Sequence, residues 1–293
     1  MSAAATPSLL VGLSAELSDL VGRVAPSLVA VRSPRSRASG FTWQPHLIVT
    51  AEEALADDGE ISVDLPDGST AAAAIVGRDP STDIALLRVE AALQPATLSA
   101  PALAAGGLVV AVGSAQGQPL AALGTVAQSG PAWRSLRGGS IDARIELGLT
   151  LRREAEGGLV VDANGHAFGM VVFGPSRRVL VIPTGTIERV AAMLRIDGRI
   201  ARGYLGLGLH PISLPDGGTG VMIMSVAADG PGAAAGLLQG DVITGWNGRS
   251  IETLRAVQQD LGSDSIGRTV ALSLRRAGAD LQVTLTVAER PSP

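Results

Sequence analysis

The stretch Arg153-Glu154-Ala155-Glu156-Gly157-Gly158-Leu159-Val160-Val161 decides how this chain is read. Asp162-Ala163-Asn164-Gly165 follows, and then the apolar run Ala167 to Phe173. The layout is a residue on a turn, a Gly-Gly pair, a strand, a polar turn and a second strand. Short apolar runs separated by Asp, Asn and Gly are the signal of a β-hairpin.

The rest of the composition agrees with a β-rich chain. The 37 Gly and 17 Pro residues punctuate many short Val, Leu and Ile runs, as in turn-rich, mostly β proteins. Aromatic residues make up only 2% of the chain, so its cores must be built from Ala, Val, Leu and Ile. A length of 293 residues suggests about two domains. Cys is absent, which excludes disulfides, thiol catalysis and Cys-ligated metal. Lys is absent too, which excludes Schiff-base and Ser-Lys chemistry. The arginines read as scattered and the formal net charge is −4, so nothing calls for nucleic-acid binding. The first residues lack a basic n-region, and Leu9-Leu10-Val11 is too short for a signal core or a membrane span. The sequence therefore reads as soluble, with mature, trimmed and cytoplasmic forms all open.

Leu9, Leu13, Leu17, Leu20 and Val21 recur near helical period behind a possible cap at Ser8. Strands are predicted at residues 28–32, 40–43, 47–50, 61–65, 70–77 and 84–89, with Asp67-Gly68 as a hairpin turn. A Pro- and Ala-rich connector covers 94–105. A second run follows at 108–114, 120–128, 141–147, 159–162, 167–173 and 179–182, then a helix at 184–194. Two sets of short strands divided by a connector fit two small antiparallel barrels. From Gly203 the composition changes. Strands are predicted at 205–210, 220–226, 242–246, 270–275 and 281–287, with helices at 233–236 and 253–261 and a turn at Asn247-Gly248.

Several segments resemble those of a known family, in the same order. The opening stretch is similar to the nucleophile loop of trypsin-like serine proteases, Gly-x-Ser-Gly-Gly. Leu47-Ile48-Val49-Thr50-Ala51-Glu52-Glu53-Ala54 resembles the segment that carries the catalytic His. Asp79-Pro80-Ser81-Thr82-Asp83-Ile84-Ala85-Leu86-Leu87 matches the segment carrying the catalytic Asp. Val181-Ile182-Pro183-Thr184 resembles the end of such a domain. Arg202-Gly203-Tyr204-Leu205-Gly206, the run Gly230 to Leu237, Gly240-Asp241-Val242-Ile243 and Asn247-Gly248 resemble a PDZ domain. Together they cover nearly the whole chain and are similar to the HtrA family, trypsin-like proteases with a C-terminal PDZ domain. The resemblance implies a mostly β fold: a chymotrypsin-type double β-barrel followed by a PDZ β-sandwich with two helices. The expected divisions are an N-terminal helical segment at 1–23, a protease-like domain at 24–196, a linker at 197–202 and the PDZ domain at 203–293.

The family mechanism needs a Ser hydroxyl, a His to take its proton and an Asp to orient the His. Carried over by position, the Asp is kept as Asp83, the His position falls on Glu53 and the Ser position on Glu156. A carboxylate is a poor nucleophile toward an amide, and its charge would repel an oxyanion. Glu154 replaces the Gly whose N–H serves the oxyanion loop ahead of Gly157. That N–H persists, but without Gly the strained turn that aims it is disfavoured. None of His46, His166 and His210 sits where a general base is needed, and no Gly-Gly follows Ser140, the best spare serine. If the frame holds, Glu53, Asp83 and Glu156 converge. They could bind a hard cation, share protons or be neutralised by Arg152 or Arg153. The loop could instead relax, with its Glu side chains in solvent.

In the PDZ segment, Arg202, Gly203, Tyr204, Leu205 and Gly206 are expected to receive a peptide C-terminal carboxylate, with backbone N–H groups as donors and Arg202 as charge partner. The peptide would add as a strand along 207–209, starting at Leu207 and facing the helix at 253–261. Leu254 and Val257 are candidate pocket residues for an apolar C-terminal side chain, Val257 equally a core residue. The expected role is that of a catalytically silent HtrA-like scaffold or regulator without a cofactor. Two alternatives stand beside it: an active serine endopeptidase, and a metal-binding protein using Glu53, Asp83 and Glu156. The resemblance also implies a homotrimer, commonly in the periplasm.

Overall fold

The computed structural model describes residues 8–34, 36–56, 59–214 and 217–291. Two compact units are present. One holds the described residues up to Trp133 together with Ile141–Arg199; the other holds Arg134–Ser140 and the described residues from Ile200 onward.

The first unit opens with helix α1, Leu9–Val24, whose Ser8 hydroxyl caps the amide of Leu10. Only Leu20 of this helix is buried. Six strands then form a closed barrel: β1 Leu28–Ser33, β2 Ser36–Gln44, β3 Leu47–Thr50, β4 Ile61–Asp64, β5 Thr70–Asp79 and β6 Ile84–Arg88. Its core is Val29, Val31, Ile48, Ile61, Val63, Leu87 and their neighbours, mainly branched aliphatics with Ala85 among them. The predicted Asp67-Gly68 turn joins β4 to β5, and Gly68 takes a positive φ there.

β7 Leu108–Ala115 and β8 Gln118–Gly130 begin the second closed barrel. The two-residue strands β9 (Trp133–Arg134) and β10 (Ser140–Ile141) follow. β11 Arg144–Gly148, β12 Leu159–Asp162, β13 Ala167–Phe173 and β14 Val179–Pro183 complete the barrel. The predicted strand at 141–147 is thus broken, and its barrel portion starts at Arg144. Helix α2, Thr184–Asp197, runs past the predicted end at 194 and stops at Gly198 in a left-handed cap. Glu188 of α2 accepts from Trp43 Nε1 at 2.9 Å, which ties the helix to the first barrel.

In the second unit, β15 (Gly203–Tyr204) and β16 (Leu207–Ser213) replace the single strand predicted at 205–210. Gly206, at φ 72°, breaks the run. β17 Thr219–Val226, helix α3 Pro231–Ala234, β18 Val242–Trp246, β19 Arg249–Ser250, helix α4 Leu254–Asp260, β20 Thr269–Arg276, β21 Ala279–Thr286 and β22 Ala288–Glu289 follow. The main sheet has the order β16-β17-β18-β20-β21, which leaves β16 at an edge. Leu205, Ile223, Ile243, Trp246, Val257, Leu272 and Leu274 are among its core residues. Mostly β, two six-stranded barrels and then a PDZ unit: the fold expected from the sequence is the fold observed.

Candidate functional site

At Gly157 the second barrel comes into close contact with the first. Gly157 has φ 83°, and a Cβ there would drive into the carbonyl oxygen of Ser39. A Cβ on Gly158 would meet the carbonyl of Val112 and the Cα of Gly113. Backbone hydrogen bonds fix the pair: Ser39 N–H donates to Glu156 O at 2.7 Å and Gly157 N–H to Val171 O at 2.8 Å.

Ahead of the pair, Arg153–Ala155 forms one turn of 3-10 helix. Ala155 N–H donates to Arg152 O at 3.0 Å, and Glu156 N–H donates to Arg153 O at 3.1 Å. Ser39, which had no predicted role of its own, locks this turn. Its hydroxyl donates to Glu154 O at 2.6 Å and accepts from Ser114 N–H at 2.8 Å. The side chain of Glu154 is partly exposed, with Arg152 Nη2 at 3.4 Å. Its carboxyl is held below the usual carboxylate range, first by its own backbone amide and then by Arg152.

Glu156 does not extend into solvent, as the relaxed-loop reading expected; it is only 8% exposed. Its Oε1 accepts from Phe173 N–H at 3.3 Å. Burial pushes its carboxyl up, opposed by the Phe173 amide and the charge of Arg153, and the charge of Glu53 adds to the rise.

Asp83 is set by the motif that precedes it. The buried carboxylate of Asp79 accepts from Ser81 N–H, Ser81 Oγ and Thr82 Oγ1 at 2.6–3.0 Å. That closed turn delivers Asp83 at φ 58°, a left-handed conformation that Asp tolerates better than most residues. Asp83 Oδ1 accepts from Glu53 N–H at 2.8 Å, and its carbonyl accepts from Glu52 N–H at 3.3 Å. Loss of water contact pushes the Asp83 carboxyl up to about 8, with the charges of Glu53, Glu156 and Glu52 in support and the Glu53 amide opposing. The Glu53 side chain itself is exposed, while Glu52 is buried against Arg78.

Glu53, Asp83 and Glu156 are not gathered as a ligand set. Among the described residues no group of three or more His, Asp or Glu side chains is placed to hold a metal ion. Glu53 meets Asp83 through its backbone amide, and the Glu156 carboxylate is turned to Phe173. His46, His166 and His210 are all exposed, His166 beside Asp162 at 3.2 Å.

In the second unit the peptide-binding candidates divide. Gly203 N–H is already committed to Leu261 O at 3.0 Å, and Arg202 Nη1 donates to Arg137 O at 3.0 Å. Tyr204 pairs with Ala288. The Leu205 side chain lies in the core, so this residue offers backbone alone. Gly206 supports a tight turn whose carbonyl accepts from Ala227 N–H at 2.7 Å. Leu207 begins the edge strand β16, and Leu254 on α4 is half-buried, whereas Val257 is fully buried core.

Comparison with known proteins agrees with this anatomy. Residues 38–170 match the trypsin-like peptidase domain family, and residues 203–287 match the PDZ domain family. A trypsin-like double barrel joined to one PDZ domain defines the class of protein. A probable periplasmic serine endoprotease DegP-like of Chlamydia trachomatis serovar D is 28% identical over 273 residues, covering 87% of this chain and 54% of the relative. The chain thus spans about half the length of the curated relatives it matches. The serine endoprotease from Yersinia pestis superposes with a TM-score of 0.69 at 25% identity, covering 94% of this chain and 98% of the other. The HtrA-type protease AlgW with decapeptide gives a TM-score of 0.69 at 23% identity, covering 94% and 99%. The chain belongs to the HtrA family. No helix among its described residues is long and apolar enough to cross a membrane.

Proposed function

We propose that this chain is a proteolytically silent HtrA-type protein that binds protein or peptide C-termini through its PDZ unit, as a scaffold or regulator. One observation carries the silent half of the reading: the Glu156 amide is spent on Arg153 O, and the Glu156 carboxylate is buried against Phe173 N–H. Acyl transfer needs amide donors aimed at a developing oxyanion and a nucleophile with a base beside it. With Glu156 and Glu53 carried over to the nucleophile and base positions, neither requirement is met. Asp83 is left orienting a backbone amide instead of an imidazole.

The binding half is supported by the edge position of β16 beside α4, the arrangement in which an extended peptide adds as a strand. The structural neighbour AlgW was solved with a decapeptide. We also propose self-association as a homotrimer, with the exposed Leu9, Leu10, Val11 and Leu13 of α1 supplying apolar surface. The compartment proposed is the periplasm, that of the DegP-like relatives.

The second reading is an active serine endopeptidase, favoured by the names of those relatives. Casein and fluorogenic-peptide assays on the full chain separate the two. The expected result is no turnover above the buffer rate. Turnover that a serine-directed inhibitor abolishes would overturn the silent reading.

A further inference from the structure

Arg32 on β1 and Arg37 on β2 are direct partners across an antiparallel ladder. Side chains so placed have Cβ atoms about 4.5–5.5 Å apart, and like charges there repel. Asp64 on β4 relieves only one of them. It is buried, contacts Arg32 Nη2 at 2.6 Å and Nε at 2.8 Å, and also accepts from Thr70 Oγ1 at 2.9 Å. Arg37 is exposed and, among the described residues, makes no ion pair.

Both arginines line a cavity of about 240 Å³ that is also lined by Arg152, from the loop just ahead of Glu156. Arg152 is 69% exposed, and its 3.4 Å contact with Glu154 is long for a charge-assisted hydrogen bond. Ser114 of β7 and Gln116 of the β7–β8 turn add polar lining, and Asp64 and Glu154, the partners of Arg32 and Arg152, line it too. Arginines that read as scattered in the sequence are therefore brought together in space. Arg35 lies between two of them in the chain but outside the described residues.

An arginine placed opposite another without an ion pair of its own gains no stability from that pairing. Local violations of this kind are expected where a ligand supplies the missing charge. We propose that this cavity receives the carboxylate side chains of an acidic peptide segment. A guanidinium fork matches a carboxylate in two parallel hydrogen bonds. The volume suits side chains, and the chain as a whole lacks the basic footprint of a nucleic-acid binder. The inference shares with the proposed function only the class of partner, a peptide; its site is separate from the PDZ groove.

The test uses the full chain and a fluorescein-labelled Gly-Ser peptide containing four consecutive Glu. Acetyl and amide caps deny the PDZ groove a free carboxylate. Its counterpart has Gln in place of Glu. In anisotropy titrations the Glu peptide is expected to bind at least about tenfold more tightly than the Gln peptide, and less tightly as salt rises. Arg37→Gln and Arg152→Gln should each weaken binding about tenfold, and Arg268→Gln in the other unit should not. Without peptide, Arg37→Gln should raise the melting temperature, because it removes the like-charge pair. Equal binding of the two peptides, no binding, or indifference to both arginine variants overturns the proposal. Tighter binding of an oligothymidylate of equal charge would replace the peptide by a nucleic acid. Failure here leaves the PDZ reading intact, since that ligand is an uncapped C-terminus.

Discussion

The backbone N–H of Glu156 donates to the carbonyl of Arg153 at 3.1 Å, closing a single 3-10 turn just before the Gly157-Gly158 pair. Ser39 holds that turn from the first barrel through the carbonyl of Glu154. The amide at the nucleophile position is therefore a structural donor, and changing side chains alone does not redirect it.

If the chain is silent, as proposed above, this predicts how activity can be introduced. The double variant Glu53→His, Glu156→Ser supplies the missing side chains but leaves the turn closed, and should cleave no fluorogenic peptide. Adding Glu154→Gly frees the backbone at the residue Ser39 holds. The triple variant should then show turnover at least about tenfold above background in a continuous assay. Cleavage by the double variant would show that the turn is not the barrier.

The Asp83 carboxyl makes stability depend on pH. It is pushed up to about 8, against 3.8 for an ordinary Asp. For an acid whose pKa rises on folding, the native state holds the extra proton between those two values. Its contribution to stability is most favourable below the unfolded value and declines as pH rises toward about 8. Glu156 is shifted in the same direction. Asp83→Asn mimics the protonated group and keeps an oxygen for the Glu53 amide. Melting temperatures across neutral to mildly alkaline pH should fall for the parent and stay flatter for the variant. Parallel curves would refute the assignment.

Asp241 in the second unit has the opposite sign. Its buried carboxylate is held below the usual range first by Arg276, with the Leu238 amide in support. That stabilisation is present above the unfolded Asp value and is lost as pH falls through the depressed one. Asp241→Asn should flatten the acid limb of unfolding of this unit, followed by tryptophan fluorescence at Trp246.

Gly157→Ala should cost at least about 3 kcal/mol in urea unfolding, since it combines a positive-φ penalty with a clash against the backbone of Ser39. Gly68→Ala, with a positive φ and no neighbour within 4 Å of the added Cβ, should cost only about 1 kcal/mol. Equal costs would mean that the close approach of the barrels is not what selects Gly157.

Arg78 closes the loop that carries Glu53. It donates to Glu52 Oε1 through Nε at 2.8 Å and to the carbonyls of Ala56 and Leu55 at 3.1 and 3.2 Å. Arg78→Leu strands the buried Glu52 carboxylate and should destabilise the first unit by about 3 kcal/mol. The double variant Glu52→Leu, Arg78→Leu should recover part of that loss, as a double-mutant cycle would reveal.

In the PDZ unit, Leu254→Asp should weaken binding of a free C-terminal Val or Leu peptide at least about tenfold, near 1.4 kcal/mol. The residue is half-buried, so the unit should still melt cooperatively. Unchanged affinity would remove Leu254 from the pocket.

Local chemistry made much of the fold legible. The Asp67-Gly68 turn, the Ser8 cap and the branched aliphatic runs each act within a few residues, and the structure forms them where they were expected. Strand ends were less legible because they depend on partners. Ile141 leaves the barrel strand predicted for it, and Gly206 splits a run that reads as continuous. The role of Ser39 was invisible. Its partners lie at Ser114 and Glu154, and no spacing in the chain links them.

The architecture and the residue types at the candidate site can be read from residue order: Asp83 after its Asp79 turn, Glu53, Glu154 and Glu156 beside a Gly-Gly pair, and a PDZ unit after Gly203. Side-chain identity and short-range turn chemistry suffice for that. Where those groups point emerges only from packing. The Glu156 amide turns to Arg153, its carboxylate to Phe173, the Gly203 amide to Leu261, and Arg32, Arg37 and Arg152 gather at one cavity. The physical reason is that hydrogen-bond satisfaction and burial are settled between segments distant in sequence, where each donor goes to whichever acceptor the packing of two closed barrels brings within reach.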